Sequence, residues 1–204
     1  MTKIKICGIT NTADARLIAE CGADAAGFIF AASPRRISPE KARAIITGLP
    51  PFMTRVGVFK NESLLRVKEI MNYCNLDRLQ FHGDEDSSYL DELSHSAIKV
   101  FNIKAGNVLE EIKKSSLPFF LLDLPKEGAI QEDRNWRTAR KAGEWGSVIL
   151  AGGLNPGNIE KALEIASPYG VDVCRGVEMK DGEKCPEKVR EFIRKVRKWD
   201  YRKI

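Results

Sequence analysis

The chain has 204 residues, 43% of them hydrophobic and 30% charged, and its 33 basic and 28 acidic side chains leave a net charge of +5. A chain of this size and make-up folds around its own core without disulfide or metal staples. Five cysteines, an odd number with no C-x-x-C pair, argue against a disulfide framework or zinc site and for a reducing compartment. The basic excess collects at Arg194, Lys195, Arg197, Lys198, Arg202 and Lys203. These read as a solvated helix end, where cations suit the macrodipole. With no basic stripe interleaved with aromatics elsewhere, nucleic acid is not an expected partner. No apolar run approaches the roughly 18 residues of a membrane span. No charged-then-apolar leader precedes the first strand, so a cytoplasmic location is expected.

Short apolar runs and longer helical stretches alternate along the chain. The runs are Ile4–Cys7, Ala25–Phe30, Thr54–Phe59, Arg78–Phe81, Ile98–Phe101, Phe119–Leu122, Ser147–Leu150 and Val171–Cys174. Several are nearly continuous in apolar residues, as strands buried on both faces are. Between them, Ala42, Ile45, Ile46 and Leu49 sit at i, i+3, i+4 and i+7, as do Ile159, Ala162, Leu163 and Ala166, and Val189, Phe192, Ile193 and Val196. Each set makes one apolar stripe able to lie on a sheet. Ser38-Pro39 and Asn155-Pro156 each place a capping side chain before a proline suited to the first helical position, and Asn61-Glu62 is a weaker version of that signal.

Eight strands and eight helices in strict alternation point to an α/β protein, a single (β/α)8 TIM barrel over residues 1–204. An open doubly wound sheet would show a glycine-rich fingerprint after its first strand. The first turn here is Cys7-Gly8-Ile9-Thr10.

In such a barrel the site lies at the C-terminal ends of the strands. Cys7, Ser33-Pro34-Arg35-Arg36, Asn61, His82, Asp123, Gly152-Gly153, Asp172 and Arg175-Gly176 fall there, while the strand interiors read as apolar. Backbone N–H groups of the glycine turns after the seventh and eighth strands suit a phosphate. Cys7 and Asp123 suit a base and an acid. The thiol needs nearby positive charge to lower it from about 8.5, and the carboxyl needs burial or a neighbouring anion to raise it from about 3.9. Residue chemistry alone leaves a packing cysteine and a turn-capping aspartate open for these two.

Lys5-Ile6-Cys7-Gly8-Ile9-Thr10 resembles the opening of the phosphoribosylanthranilate isomerase family of tryptophan biosynthesis. The stretches Ala26–Phe30, Ser33–Pro39, Leu79–Glu85, Leu150–Pro156 and Tyr169–Val173 continue the likeness in order over nearly the whole chain. The resemblance implies an Amadori rearrangement of N-(5-phosphoribosyl)anthranilate with no metal and no cofactor. Asp123 is then the general acid and Cys7 the general base. Arg36 pairs with the anthranilate carboxylate, His82 lines the pocket, and Asp172 contacts a ribose hydroxyl or the amino group. Gly152, Gly153, Arg175 and Gly176 hold the phosphate. The small-molecule substrate is the only partner implied beyond a monomer or homodimer.

The chain departs from the family pattern twice. The glycine-rich loop after the sixth strand keeps one glycine in Lys126–Trp136, and the usual Ser-Ser-Gly after the eighth strand is Cys174-Arg175-Gly176. Two other readings therefore stand beside the first: a divergent barrel acting on another sugar phosphate, and a non-catalytic relative that binds a phosphorylated ligand or a partner.

Overall fold

The structure, a computed structural model, describes residues 1–103, 107–115, 117–124 and 129–202, with side chains at all of these except 129–132. Eight parallel strands close into a barrel in chain order: β1 (Lys3–Cys7), β2 (Ala25–Ile29), β3 (Thr54–Phe59), β4 (Arg78–Phe81), β5 (Ala97–Asn102), β6 (Phe119–Asp123), β7 (Ser147–Ala151) and β8 (Gly170–Val173). The ring closes where Ile4 pairs with Val171 and Lys5 with Asp172. Helices α1 (Thr12–Glu20), α2 (Pro39–Ile46), α3 (Leu64–Cys74), α4 (Ser87–Asp91), α5 (Val108–Lys114), α6 (Ala129–Ala142), α7 (Ile159–Ala166) and α8 (Pro186–Tyr201) link the strands and end the chain. The alternation read from the sequence omits three short elements: between β8 and α8 the chain makes a 3-10 turn and a hairpin of β9 (Glu178–Lys180) and β10 (Glu183–Lys184).

The strand period of two sorts the side chains. Ile4, Ile6, Phe28, Leu79, Phe81, Phe120, Leu122 and Val171 point outward into one large core beneath the helices. There they meet Ala42, Ile45, Leu163, Val189 and Phe192 from the helical stripes, all buried. Inside the barrel, Ile98, Val100, Leu121 and Ala151 form a separate, smaller apolar cluster on β5–β7. The rest of the interior is mixed, with Val56 and Val58 on β3 beside buried polar groups. Lys5 on β1, Gln80 on β4 and Asp172 on β8 are all buried. The expectation of apolar strand interiors therefore fails on that side, which leads up to the barrel mouth.

Two helix starts also differ from expectation. Ser38 caps α2 and Pro39 opens it, as the spacing predicts. Asn61 lies outside α3 at φ 51, and Ser63 caps that helix instead. Asn155 turns its side chain back on its own loop, accepting from the Gly157 N–H at 2.8 Å, so α7 begins only at Ile159. Asparagine competes for the backbone in this way wherever a turn is available. At the chain ends, Asp200 on α8 accepts from the Thr2 backbone and hydroxyl, and Arg197 pairs with Asp24, so part of the basic tail secures β1.

Candidate active site

A cavity of about 300 Å³ opens at the C-terminal end of the barrel. Inward-facing positions of successive strands line it: Cys7, Ile29, Val58, Gln80 with His82, Leu121 with Asp123, and Ala151. The turns Gly152–Asn155 and Cys174–Gly176 complete the wall with Asp172. A larger hollow of about 810 Å³ lies around the opposite, N-terminal end. Of these two, only the smaller brings together two thiols, two carboxyls, an imidazole and two glycine turns.

Cys7 ends β1 and is buried. Burial pushes its thiol up, while the Lys5 ammonium beside it pulls the other way without winning. The cation called for by the sequence is thus present, but in the unliganded site desolvation outweighs it. Asp123 ends β6 and is half-buried. Burial and then the Asp172 carboxylate raise it, against the pull of Arg175 and Lys5. His82, just past β4, is driven down to about 4, first by burial and then by the Lys5 charge. Its Nε2 lies 2.7 Å from Gln80 Nε2. A neutral ring accepting from the amide satisfies that contact. The loop that carries His82 is fastened twice. Asn61 Oδ1 accepts from the Asp84 N–H, and Lys99 donates to the Gly83 carbonyl at 2.7 Å.

The two glycine turns lie against each other. Gly152 and Gly153 adopt φ of 85° and 68°, a left-handed backbone that favours glycine. A Cβ at Gly176 would stand 1.9 Å from the Leu154 carbonyl oxygen, so the turn after β8 packs directly on the turn after β7. Arg175 is exposed at this wall. Asp172 does line the cavity, but its carboxylate is already engaged, 2.9 Å from Lys5 Nζ. Arg36 is not brought into the cavity wall. It is exposed, and its backbone bridges to Ile29 at the mouth. Residues 126–128 of the altered loop after β6 lie outside the described residues, whereas Asn135 and Trp136, further along α6, are buried.

Beneath the mouth runs a charge network that sequence reasoning missed. Arg35 donates to both oxygens of Glu178, at 2.6 to 3.0 Å, and also pairs with Asp181. Lys184, fully buried, donates to Glu178 Oε1 at 2.8 Å and to the Cys7 carbonyl at 2.7 Å. Its backbone N–H meets Asp14 at 3.0 Å. The β9–β10 hairpin thereby grips the end of β1. No local pattern announces contacts between residues more than a hundred positions apart. Lys5 and Gln80 did carry a signal: each is a polar residue two positions before a candidate, on the same strand face. Among the described residues, no group of three or more His, Cys, Asp or Glu side chains is arranged to hold a metal ion. No described helix is long and apolar enough to cross a membrane.

A closed eight-stranded parallel barrel with titratable groups and paired glycine turns at its C-terminal mouth is a TIM barrel, a fold whose active sites lie at that end. A family model described as N-(5'phosphoribosyl)anthranilate (PRA) isomerase matches residues 4–195. The N-(5'-phosphoribosyl)anthranilate isomerase of Geobacter metallireducens is 45% identical over 97% of this chain and 100% of its own length. That of Moorella thermoacetica is 45% identical over 97% and 91%. The crystal structure of phosphoribosyl anthranilate isomerase from Thermotoga maritima superposes with a TM-score of 0.89 at 35% identity, covering 97% of this chain and 100% of that one. A second such structure, solved in complex with reduced 1-(o-carboxyphenylamino)-1-deoxyribulose 5-phosphate, gives 0.86 at 35% identity with the same coverage. The chain belongs to the N-(5'-phosphoribosyl)anthranilate isomerase family, isomerases of tryptophan biosynthesis.

Proposed function

We propose that this cavity rearranges N-(5-phosphoribosyl)anthranilate to 1-(o-carboxyphenylamino)-1-deoxyribulose 5-phosphate, with Asp123 as general acid and Cys7 as general base. Asp123 gives its proton to the furanose ring oxygen as the C1′–O bond breaks, and the anilino nitrogen lone pair forms the iminium. The Cys7 thiolate takes the C2′ proton, and the C2′–H electrons neutralise the iminium as an enolamine. That enolamine tautomerises to the ketone. The phosphate rests on the turns of Gly152–Gly153 and Arg175–Gly176, where backbone donors and one cation meet it. Arg36, at the mouth, reaches for the anthranilate carboxylate, for which a guanidinium fork is suited. His82 stays neutral and lines the wall.

The observation that carries this reading is one cavity holding a buried thiol and a carboxyl raised toward its protonated form. Burial favours the proton on both groups in the unliganded site, and the Lys5 ammonium is the charge that pulls Cys7 most strongly toward the thiolate a base requires. The test is the fall in fluorescence as purified protein consumes phosphoribosylanthranilate. Cys7→Ser and Asp123→Asn are each expected to lose about 10²–10⁴-fold in turnover. Wild-type turnover in both variants would sink the assignment. Turnover of another sugar phosphate in place of this one would favour the divergent reading.

A further inference from the structure

Beside the acid and base lie a buried cation, Lys5, and a buried anion, Asp172, whose pairing the proposed steps do not use. Lys5 precedes Cys7 by two positions on β1, so both side chains enter the barrel. Lys5 faces Asp172 across the β1–β8 register, and their side chains are 6% and 9% exposed. Stability is a poor reason for this pair. A buried ion pair is commonly matched or exceeded by apolar residues of similar volume, and β5–β7 fill their side of the same interior with Ile98, Val100 and Leu121. Nor is the pair saturated: among the described residues, Lys5 Nζ and Asp172 Oδ1 each lack a hydrogen bond of good geometry.

Gly27 on β2 shows what the cation is next to. A Cβ built there would lie 2.8 Å from Cys7 Sγ and 3.0 Å from Lys5 Cε. The thiol and the ammonium stem thus share the one space that the missing side chain leaves. Cys7 is faced by Lys5 from its own strand, by Asp172 from β8 and by Lys184 from β10, and Lys5 exerts the strongest pull among these charges. Asp123 is faced by Asp172, by Arg175 from the turn after β8 and by Lys5, with Asp172 the strongest.

Resting on the assignment of Cys7 as base and Asp123 as acid, we propose that Lys5 and Asp172 are a positioning pair that divides its charges between them. The ammonium favours the thiolate at Cys7, and the carboxylate favours the protonated acid at Asp123. One buried ion pair biases the two partners in opposite directions, without touching the bond that breaks.

The test reads each half separately. Alkylation of Cys7 by iodoacetamide, followed on its peptide by mass spectrometry across pH, reports thiolate formation without turnover. Lys5→Met is expected to move that midpoint up by about 1–3 pH units, with kcat falling. Asp172→Asn is expected to move the kcat/KM limb due to Asp123 to lower pH. A folded Lys5→Met protein with an unchanged Cys7 midpoint overturns the proposal. Should either single variant fail to fold, the double variant Lys5→Met/Asp172→Asn leaves no unpaired buried charge. It must still show the upward Cys7 shift, and an unchanged midpoint there overturns the proposal equally. Full turnover by Cys7→Ser would overturn the choice of base, a result distinct from the alkylation shift.

Discussion

Replacing Glu178 with Gln removes the carboxylate that two buried cations share. Arg35 reaches it at 2.6 to 3.0 Å and Lys184 at 2.8 Å, and only 4% of its side chain is exposed. Burial alone would raise this carboxyl, but Arg35 and Lys184 overcome that and hold it at about 2, against 4.5 ordinarily. A depression of that size is worth about 3 kcal/mol at neutral pH. The amide keeps the shape but strands Lys184 in the interior, and breaking a buried pair from one side costs about 3–5 kcal/mol. At roughly 2–4 °C per kcal/mol for a chain of this length, Tm should fall by about 6–20 °C. The pH dependence gives a sharper reading. Because the folded value lies below the unfolded one, the stabilisation is complete above about pH 4.5 and is lost as pH falls through about 2. Urea melts of wild type and Glu178→Gln should therefore differ by a constant amount above pH 5 and converge below pH 4. The other carboxylates titrate in both proteins and cancel in the difference. A Tm within about 2 °C of wild type, or a gap that stays constant down to pH 3, would refute the reasoning.

Three further outcomes follow from the geometry. Gly27→Ala places a methyl group 2.8 Å from Cys7 Sγ; overpacking of this kind costs about 1–3 kcal/mol, and the loss in kcat should exceed what the thermal melt alone explains. Arg175→Gln should raise both KM and the inhibition constant of inorganic phosphate several-fold, measured by steady-state kinetics at constant ionic strength, while kcat changes less. His82 should show a proton NMR midpoint near 4, and with only two histidines in the chain the assignment needs one substitution, His95→Gln. Its folded value lies below the ordinary one of about 6.5, so its contribution to stability is present above that pH and declines as pH falls toward 4. A midpoint near 6.5 would mean that the ring is solvated rather than partly desolvated under the influence of the Lys5 charge.

The Arg35–Arg36 pair shows how far strand-end reasoning reaches. Both arginines were placed at the mouth after β2, and that much holds. Which of them turns inward depends on Glu178 and Asp181, which lie far along the chain on a hairpin with no periodic signature. Arg35 is buried there and Arg36 remains exposed. Asp172 is similar. Its position on β8 is plain in the sequence, but only the register that sets it opposite Lys5 makes it half of an ion pair as well as a residue of the cavity wall. Asn155 marked a real boundary, yet its side chain found the closer Gly157 N–H and delayed the helix.

Local rules account for the barrel itself. Runs buried on both faces, helical stripes at i, i+3, i+4 and i+7, and turn residues between them depend on neighbours in the chain, and eight repeats leave little choice of closure. The same strand ends name Cys7, Asp123 and the glycine turns as the chemical rim. Their electrostatics could not be read that way. Charge states inside the barrel depend on how much water is excluded and on which charges cross the ring to meet, and both are set by contacts between distant strands. Lys5 lies two residues from Cys7 in the sequence. Only closure of β8 against β1 supplies the Asp172 carboxylate that keeps a buried ammonium charged beside it.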